Sequence, residues 1–243
     1  MPVDLGIADQ VRQLRRVGIR PSERLVQNIL SGGAAAARPL LDLAVETDLL
    51  YEDEPQCFAP LHALRLLGEL RPTDIIAPLL GEIPLDLDYD DDDDPPQLWE
   101  NEVPQIIGRL GAAAVEPLWA IADDDAWESE ARGAALIALA YATVIEPAIR
   151  DDVVAGLRER LARSDDKTFS AYIVTTLANI GVQEVYNDVM RLYREGQIDQ
   201  EIIPAGVARQ LLLTKGERRL SCVHHPLWER YDQHGPAPQE REA

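Results

Sequence analysis

The sequence is poor in cysteine, lysine and aromatic residues, and it contains no long apolar run. Only Cys57 and Cys222 occur among 243 residues, so we expect no disulfide framework and a reducing compartment. No apolar stretch approaches the roughly 20 residues needed to cross a bilayer. Residues 1–16 also lack the apolar core of a signal peptide. We therefore predict a cytoplasmic protein that does not associate with membranes.

Signatures of common enzymes are missing too. No serine lies in a Gly-x-Ser-x-Gly motif, and no glycine-rich loop runs into Lys-Ser or Lys-Thr. None of the four histidines is directly followed by glutamate, the pair that recurs in helical-repeat di-iron hydroxylases. These absences favour a protein without enzymatic activity. They predict no cofactor and single out no catalytic residue.

Acidic residues dominate the chain, chiefly in its middle. The formal net charge is −20, and residues 41–166 carry thirty acidic and eight basic side chains. Nucleic-acid binding relies on Lys and Arg to neutralise phosphates, so this distribution predicts no nucleic-acid partner. It favours a protein partner with a basic or mixed surface. Plain solvation of outer helix faces is the alternative explanation.

An internal repeat is the clearest feature that the sequence does contain. Pro39, Pro78 and Pro117 stand 39 residues apart, and each is followed by a leucine. A fixed period of this length is typical of helical units that bury their apolar faces only by stacking. Proline costs about 3 kcal/mol inside a helix but little in its first turn. We therefore place each proline in the first turn of a helix or just beyond it.

Apolar spacing and turn residues divide the chain into about five helix pairs, with capping helices at both ends. Ser22 is the expected N-cap of one helix, and Gly32-Gly33 is expected to end it. The predicted helical segments are 3–17, 22–31, 34–47, 60–70, 75–83, 102–110, 112–123, 128–141, 151–163, 168–180, 182–195 and 201–214. One domain is expected over 1–225, with an acidic loop insertion at 84–100. Residues 226–243 are expected to form a polar, flexible tail.

Residues 107–140 carry a family resemblance. After a glycine turn they read Ala-Val-Glu-Pro-Leu at 114–118, then an acidic loop, then a helix that opens with Glu130 and Arg132 and continues Ala-Ala-Leu-Ile-Ala-Leu. This pattern resembles a HEAT repeat of the short kind found in phycobilisome-lyase-like proteins, and weaker copies cover roughly residues 22–195. The block from Phe58 to Leu161 is also similar to a bacterial family of HEAT-like proteins.

The resemblance implies an all-α fold, an α-solenoid of about five HEAT-like antiparallel helix pairs. It implies a scaffold or adaptor for protein–protein interaction, and together with the charge distribution this predicts inner helices that line an acidic concave surface. The alternative is a lyase-like or chromophore-handling enzyme, or a subunit of one, built on the same repeats.

Two departures from the repeat supply the candidate partner-binding residues. Residues 86–94 carry seven carboxylates, yet they lack the glycine and the spacing of a calcium loop. A docking loop for a basic partner and a solvated loop are the two interpretations. Trp119 stands where the matching positions hold Leu41 and Leu80, so it is either a partner contact or packed between repeats. The full candidate set is Asp90, Asp91, Asp92, Asp93, Asp94, Trp99 and Trp119.

Cysteine and histidine positions do not predict a metal site. Structural zinc sites use two close pairs of ligands, whereas Cys222, His224 and His225 form one crowded cluster near the C-terminus. We therefore predict no metal ligand.

Overall fold

The computed structural model describes residues 6–87, 94–214 and 220–236, and within these ranges it contains helices and no strand. The α-helices there are α1 (Ile7–Arg12), α2 (Glu23–Ser31), α3 (Ala34–Ala44), α4 (Ala59–Leu70), α5 (Ile76–Leu80), α6 (Pro95–Gly108), α7 (Val115–Ala122), α8 (Ser129–Ile145), α9 (Arg150–Arg163), α10 (Lys167–Ile180), α11 (Tyr186–Arg194), α12 (Ala205–Leu213) and α13 (Leu227–Gln233). The all-α prediction is confirmed. In the described ranges, no helix has both the length and the apolar character to span a bilayer.

The chain divides into two compact units. Unit 1 comprises Met1–Ile106 and His225–Ala243, and unit 2 comprises Ile107–His224. In unit 1, α3 packs against α1 and α4, and α13 contacts α4. In unit 2, α8 packs against α7 and α10. The sequence led us to expect one continuous domain over 1–225, and the solenoid of antiparallel pairs stays a prediction.

Helix ends follow the turn residues of the sequence. Ser22 N-caps α2, because its Oγ accepts a hydrogen bond from the backbone N–H of Leu25 at 3.3 Å. Gly33 separates α2 from α3 with a φ of +53°, and Gly181 ends α10 with a φ of +79°. Glycine adopts these left-handed conformations without the steric cost of a Cβ. The predicted N-cap at Ser22 and the predicted breaks at Gly33 and Gly181 are confirmed.

The repeated prolines do not all occupy the same helix position. A 3₁₀ turn leads into α5 and another into α7, so Pro78 and Pro117 are each the third residue of their α-helix. These two lie in the first turn, as predicted. Pro39 is the sixth residue of α3. It lies in the second turn, where its missing N–H cannot bond to the carbonyl of Ala35.

Two segments that we expected to be irregular are helical. Helix α6 begins at Pro95, inside the predicted 84–100 loop, because Pro95 and Pro96 fit the first turn of a helix. Helix α13 lies inside the predicted tail and buries Leu227, Arg230 and Tyr231. That burial offsets the ordering entropy which led us to expect a flexible segment. Residues 237–243 lie outside the described residues.

Glycines allow helices to approach closely in both units. A Cβ added to Gly68 of α4 would lie 2.5 Å from Cδ1 of Ile106. One added to Gly108 would lie 2.3 Å from Cβ of Tyr141 in α8. Real Cβ atoms do not approach other atoms so closely, so both contacts depend on glycine.

Candidate functional site

The residues that we predicted to contact a partner lie in different surroundings. Asp90–Asp93 lie outside the described residues. Asp94 is half-buried, and its carbonyl accepts a hydrogen bond from Leu98 N at the start of α6. Trp99 is fully buried, and its Nε1 donates to the carbonyl of Ala44 at 3.0 Å. Trp99 is therefore a core residue with its one polar atom satisfied, which corrects its assignment as a partner contact.

Trp119 remains a candidate because part of its side chain reaches the surface. Leu41 and Leu80, which hold the matching repeat positions, are buried, whereas Trp119 is half-buried. The guanidinium carbon of Arg160 lies 3.8 Å from the centroid of its ring. Helix α9 can approach the indole because residue 156 is glycine, where a Cβ would lie 2.9 Å from Cζ2 of Trp119.

Asp123 fixes the arginine that covers this ring. Arg160 Nε donates to Oδ1 of Asp123 at 2.6 Å, and Nη2 donates to Oδ2 at 2.5 Å. Paired bonds between a planar guanidinium and a carboxylate are strong and directional. The Arg160 side chain is 17% exposed and that of Asp123 is 47% exposed. The stack thus lies at the boundary between the core and the solvent.

A second stack in unit 2 repeats this arrangement. The guanidinium carbon of Arg132 lies 4.4 Å from the ring centroid of Phe169. Its Nη1 lies 2.8 Å from Oδ1 of Asp125, and its Nε donates to the carbonyl of Ala122. Each stack therefore combines an aromatic ring, an arginine and an aspartate from the connection between α7 and α8. We call these six side chains, Trp119, Asp123, Asp125, Arg132, Arg160 and Phe169, the Trp119 surface.

An open cavity of about 490 Å³ lies beside both stacks. It is lined by Asp125, Arg132, Arg160, Arg163, Ser164, Asp165, Asp166 and Phe169. Residues 119–132 and 159–166 together hold eight acidic and three basic side chains. Two of the three arginines are already paired with aspartates, so the field at this surface attracts cations.

Unit 1 contains a buried polar network that joins α4 to α13. Nδ1 of His62 lies 2.9 Å from the hydroxyl of Tyr231, and Nε2 lies 2.9 Å from the carbonyl of Gly18. A carbonyl can only accept, so Nε2 donates to Gly18 and Nδ1 accepts from Tyr231. Burial lowers the pKa of His62 to about 4, and it raises the pKa of Tyr231. Both groups are therefore neutral near pH 7.

Charged residues complete the network. Arg65 donates through Nε and Nη2 to the carboxylate of Glu102, and through Nη1 to the carbonyl of Gly235. Arg230 Nη1 lies 3.6 Å from the same carboxylate. Burial alone would lower the pKa of Arg65, but the charge of Glu102 more than offsets this and raises it. We call His62, Arg65, Glu102, Arg230 and Tyr231 the unit 1 network. Its contacts hold α13 against α4.

Pairs at the repeat spacing were the signal that we overlooked in the sequence. Arg65 and Glu102 are 37 residues apart, and so are Asp123 and Arg160. This separation is close to the 39-residue proline period, as expected if equivalent positions of successive repeats lie side by side. A search for opposite charges at that spacing would have found both pairs.

Comparison with known proteins adds no relative. No protein-family model matches the chain, and no significant match was found among curated proteins or solved structures. Fold and site together define an all-α protein with a stacked arginine–aromatic surface in unit 2. The HEAT-like assignment stays a prediction.

Proposed function

We propose that this protein is a non-enzymatic interaction module of HEAT-like helix pairs, an α-solenoid that binds a protein partner through the Trp119 surface. The observation that carries the proposal is Trp119 itself, a half-buried tryptophan at a position where the other repeats bury leucine. Tryptophan and arginine are the residues most enriched among side chains that dominate binding energy. Here the two are stacked and held in place before any partner arrives, which lowers the entropy cost of binding.

Charge indicates the kind of partner. Asp124, Glu128 and Glu130 are exposed around the stacks, and none of them belongs to either stack. A partner segment that carries arginine or lysine would be attracted to these carboxylates, and the association rate would fall as salt rises. The same field repels the phosphates of nucleic acids. The proposal therefore narrows the acidic surface expected from the sequence to the connection between α7 and α8.

The experiment measures separately how Trp119 and the surrounding carboxylates contribute to partner binding. The immobilised full chain is used to isolate partners from its native cell, and the affinity of the recovered protein is then measured at low and high salt. Trp119→Leu, which restores the residue of the matching positions, should weaken binding by about tenfold or more if the ring is a central contact. The triple variant Asp124→Asn, Glu128→Gln, Glu130→Gln should mainly slow association.

A matched control removes the same charge elsewhere in unit 2. Asp151, Glu184 and Glu201 are exposed and lie outside the Trp119 surface. Changing them to Asn, Gln and Gln should leave the affinity and the association rate close to the wild-type values. If Trp119→Leu binds the recovered protein like the wild type, the Trp119 surface is not the interface.

A further inference from the structure

Helix α13 and the residues just before and after it bring together three side chains able to bind a metal ion. Nε2 of His225 lies 3.8 Å from Oε1 of Glu229. The rings of His225 and His234 stack with centroids 4.6 Å apart and 9° between their planes. The potential ligand atoms of all three side chains lie within 4.8 Å of one another. We propose that His225, Glu229 and His234 form a binding site for a divalent transition-metal ion, and that this ion is Zn²⁺.

The donor set and the spacing fit zinc. With metal–ligand distances of about 2.0–2.1 Å, two ligands of a tetrahedral ion are separated by about 3.3 Å. The 3.8 Å between His225 and Glu229 is too long for a hydrogen bond, and a small side-chain rotation brings it to that value. Two imidazole nitrogens and one carboxylate oxygen suit Zn²⁺, with water as a fourth ligand. Calcium and magnesium prefer sites built entirely of oxygen.

The backbone that carries the site is firmly held. The hydroxyl of Tyr231 is hydrogen-bonded to His62 in the core of unit 1. On the outer side of α13, Asp232 pairs with Arg20 at 2.9 Å, and the Arg20 guanidinium covers the ring of Trp228. Helix α13 therefore does not have to fold when the ion binds, and only three side chains must be ordered.

The site is also open to an arriving ion. The side chains of His225 and Glu229 are 25% and 34% exposed, and His234 is exposed. An ion pair between His225 and Glu229 would explain that one contact without a metal. It would not involve His234, whose potential ligand atom also lies within 4.8 Å of those of the other two side chains. One ion can bind all three side chains once the nearly parallel rings of His225 and His234 rotate, because a metal ion lies in the plane of each imidazole that binds it.

The site can be tested on the full chain after metal has been removed with a chelator. Zn²⁺ is titrated by calorimetry in excess Mg²⁺, which occupies the many surface carboxylates of a chain with net charge −20. We expect one Zn²⁺ per chain and a higher unfolding temperature when the ion is bound. His225→Gln, Glu229→Gln and His234→Gln should each weaken binding at least about tenfold, since changes to outer residues of metal sites already cost this much.

His224 offers a matched control because it is exposed and adjacent to His225 but does not belong to the cluster. His224→Gln should bind Zn²⁺ like the wild type. Equal binding by His234→Gln and the wild type, or no binding at all in the presence of Mg²⁺, would overturn the proposal.

A second measurement needs no variant that has to fold. The imidazole NMR signals of His225 and His234 should shift when Zn²⁺ is added to the wild type, while that of buried His62 should not. If the signals of His225 and His234 both stay in place, the site does not exist. The site lies in unit 1, so neither outcome bears on the function proposed for unit 2.

Discussion

Helices α4 and α8 are both buried along most of their length, but they are stabilised by different means. Helix α4 of unit 1 buries His62 and Arg65 together with its leucines. Helix α8 of unit 2 buries mainly alanines, with Gly133 among them. A Cβ on Gly133 would lie 2.5 Å from the ring of Tyr172, so the backbone of α8 at Gly133 packs directly against the Tyr172 ring of α10. One helix depends on satisfied polar groups and the other on small side chains.

The difference follows from where each partner lies in the sequence. Helix α8 packs against α7 and α10, which are close to it along the chain. His62 bonds to Tyr231, which is 169 residues away. Apolar packing is not directional, so a distant segment could dock in several registers. Buried polar groups that must all be paired allow only one docking register. We regard the selection of that register as the role of the unit 1 network.

Removing the carboxylate of the unit 1 network should have the largest effect. Glu102→Gln removes the carboxylate charge that faces the buried guanidinium groups of Arg65 and Arg230, and we expect a loss of about 3–5 kcal/mol in the free energy of unfolding. Denaturant titration of the full chain measures this. The control is Asp232→Asn, which breaks the exposed pair with Arg20 and should cost at most about 1 kcal/mol. Equal losses in the two variants would show that the network does not stabilise α13.

Acid should weaken unit 1 through His62. Its pKa is about 4 in the folded chain and 6.5 for the free side chain. As pH falls, the unfolded chain therefore takes up the proton first. The free energy of unfolding is unaffected above pH 6.5, the pKa of His62 in the unfolded chain. Below that pH it falls progressively down to about pH 4, by about 3 kcal/mol in total. His62→Gln should lack this component, so its unfolding free energy should fall less over the same range. If the two pH profiles run parallel, burial does not suppress the charge of His62.

Close packing in unit 2 should respond to a single methyl group. Gly108→Ala forces a Cβ against Cβ of Tyr141 and the carbonyl of Ala138, and we expect a loss of about 1–3 kcal/mol. Gly206→Ala is the control, because no atom lies within 4 Å of its added Cβ. That change should be neutral or stabilising by up to about 1 kcal/mol, since alanine favours the helix. A neutral Gly108→Ala would mean that the backbone at Gly108 can move away from Tyr141 without cost.

The sequence predicted the features that follow from local residue patterns, but few of the contacts between distant segments. Helix type, the cap at Ser22 and the breaks at Gly33 and Gly181 follow from local chemistry, so they could be found without a structure. Trp119 could be singled out because it interrupts a periodic pattern. Tyr231 could not, because a polar segment gives no sign of what it will pack against. Glu229, which we propose as a metal ligand, was not singled out because we considered only residues close to each histidine in sequence, whereas Glu229 lies in the first turn of α13, four positions after His225.

Unit 1 is made of two separate stretches of the chain, and this affects the order in which the parts of the protein can fold. His62 leaves the ribosome early, but its partner Tyr231 is separated from it by the whole of unit 2, residues 107–224. At about 5–20 residues per second, synthesis of that stretch takes on the order of ten seconds. During this interval the polar groups of α4 have no partner from α13. Unit 2, by contrast, is continuous and can fold while the end of unit 1 is still being made, so the order of synthesis leaves unit 1 to be completed last.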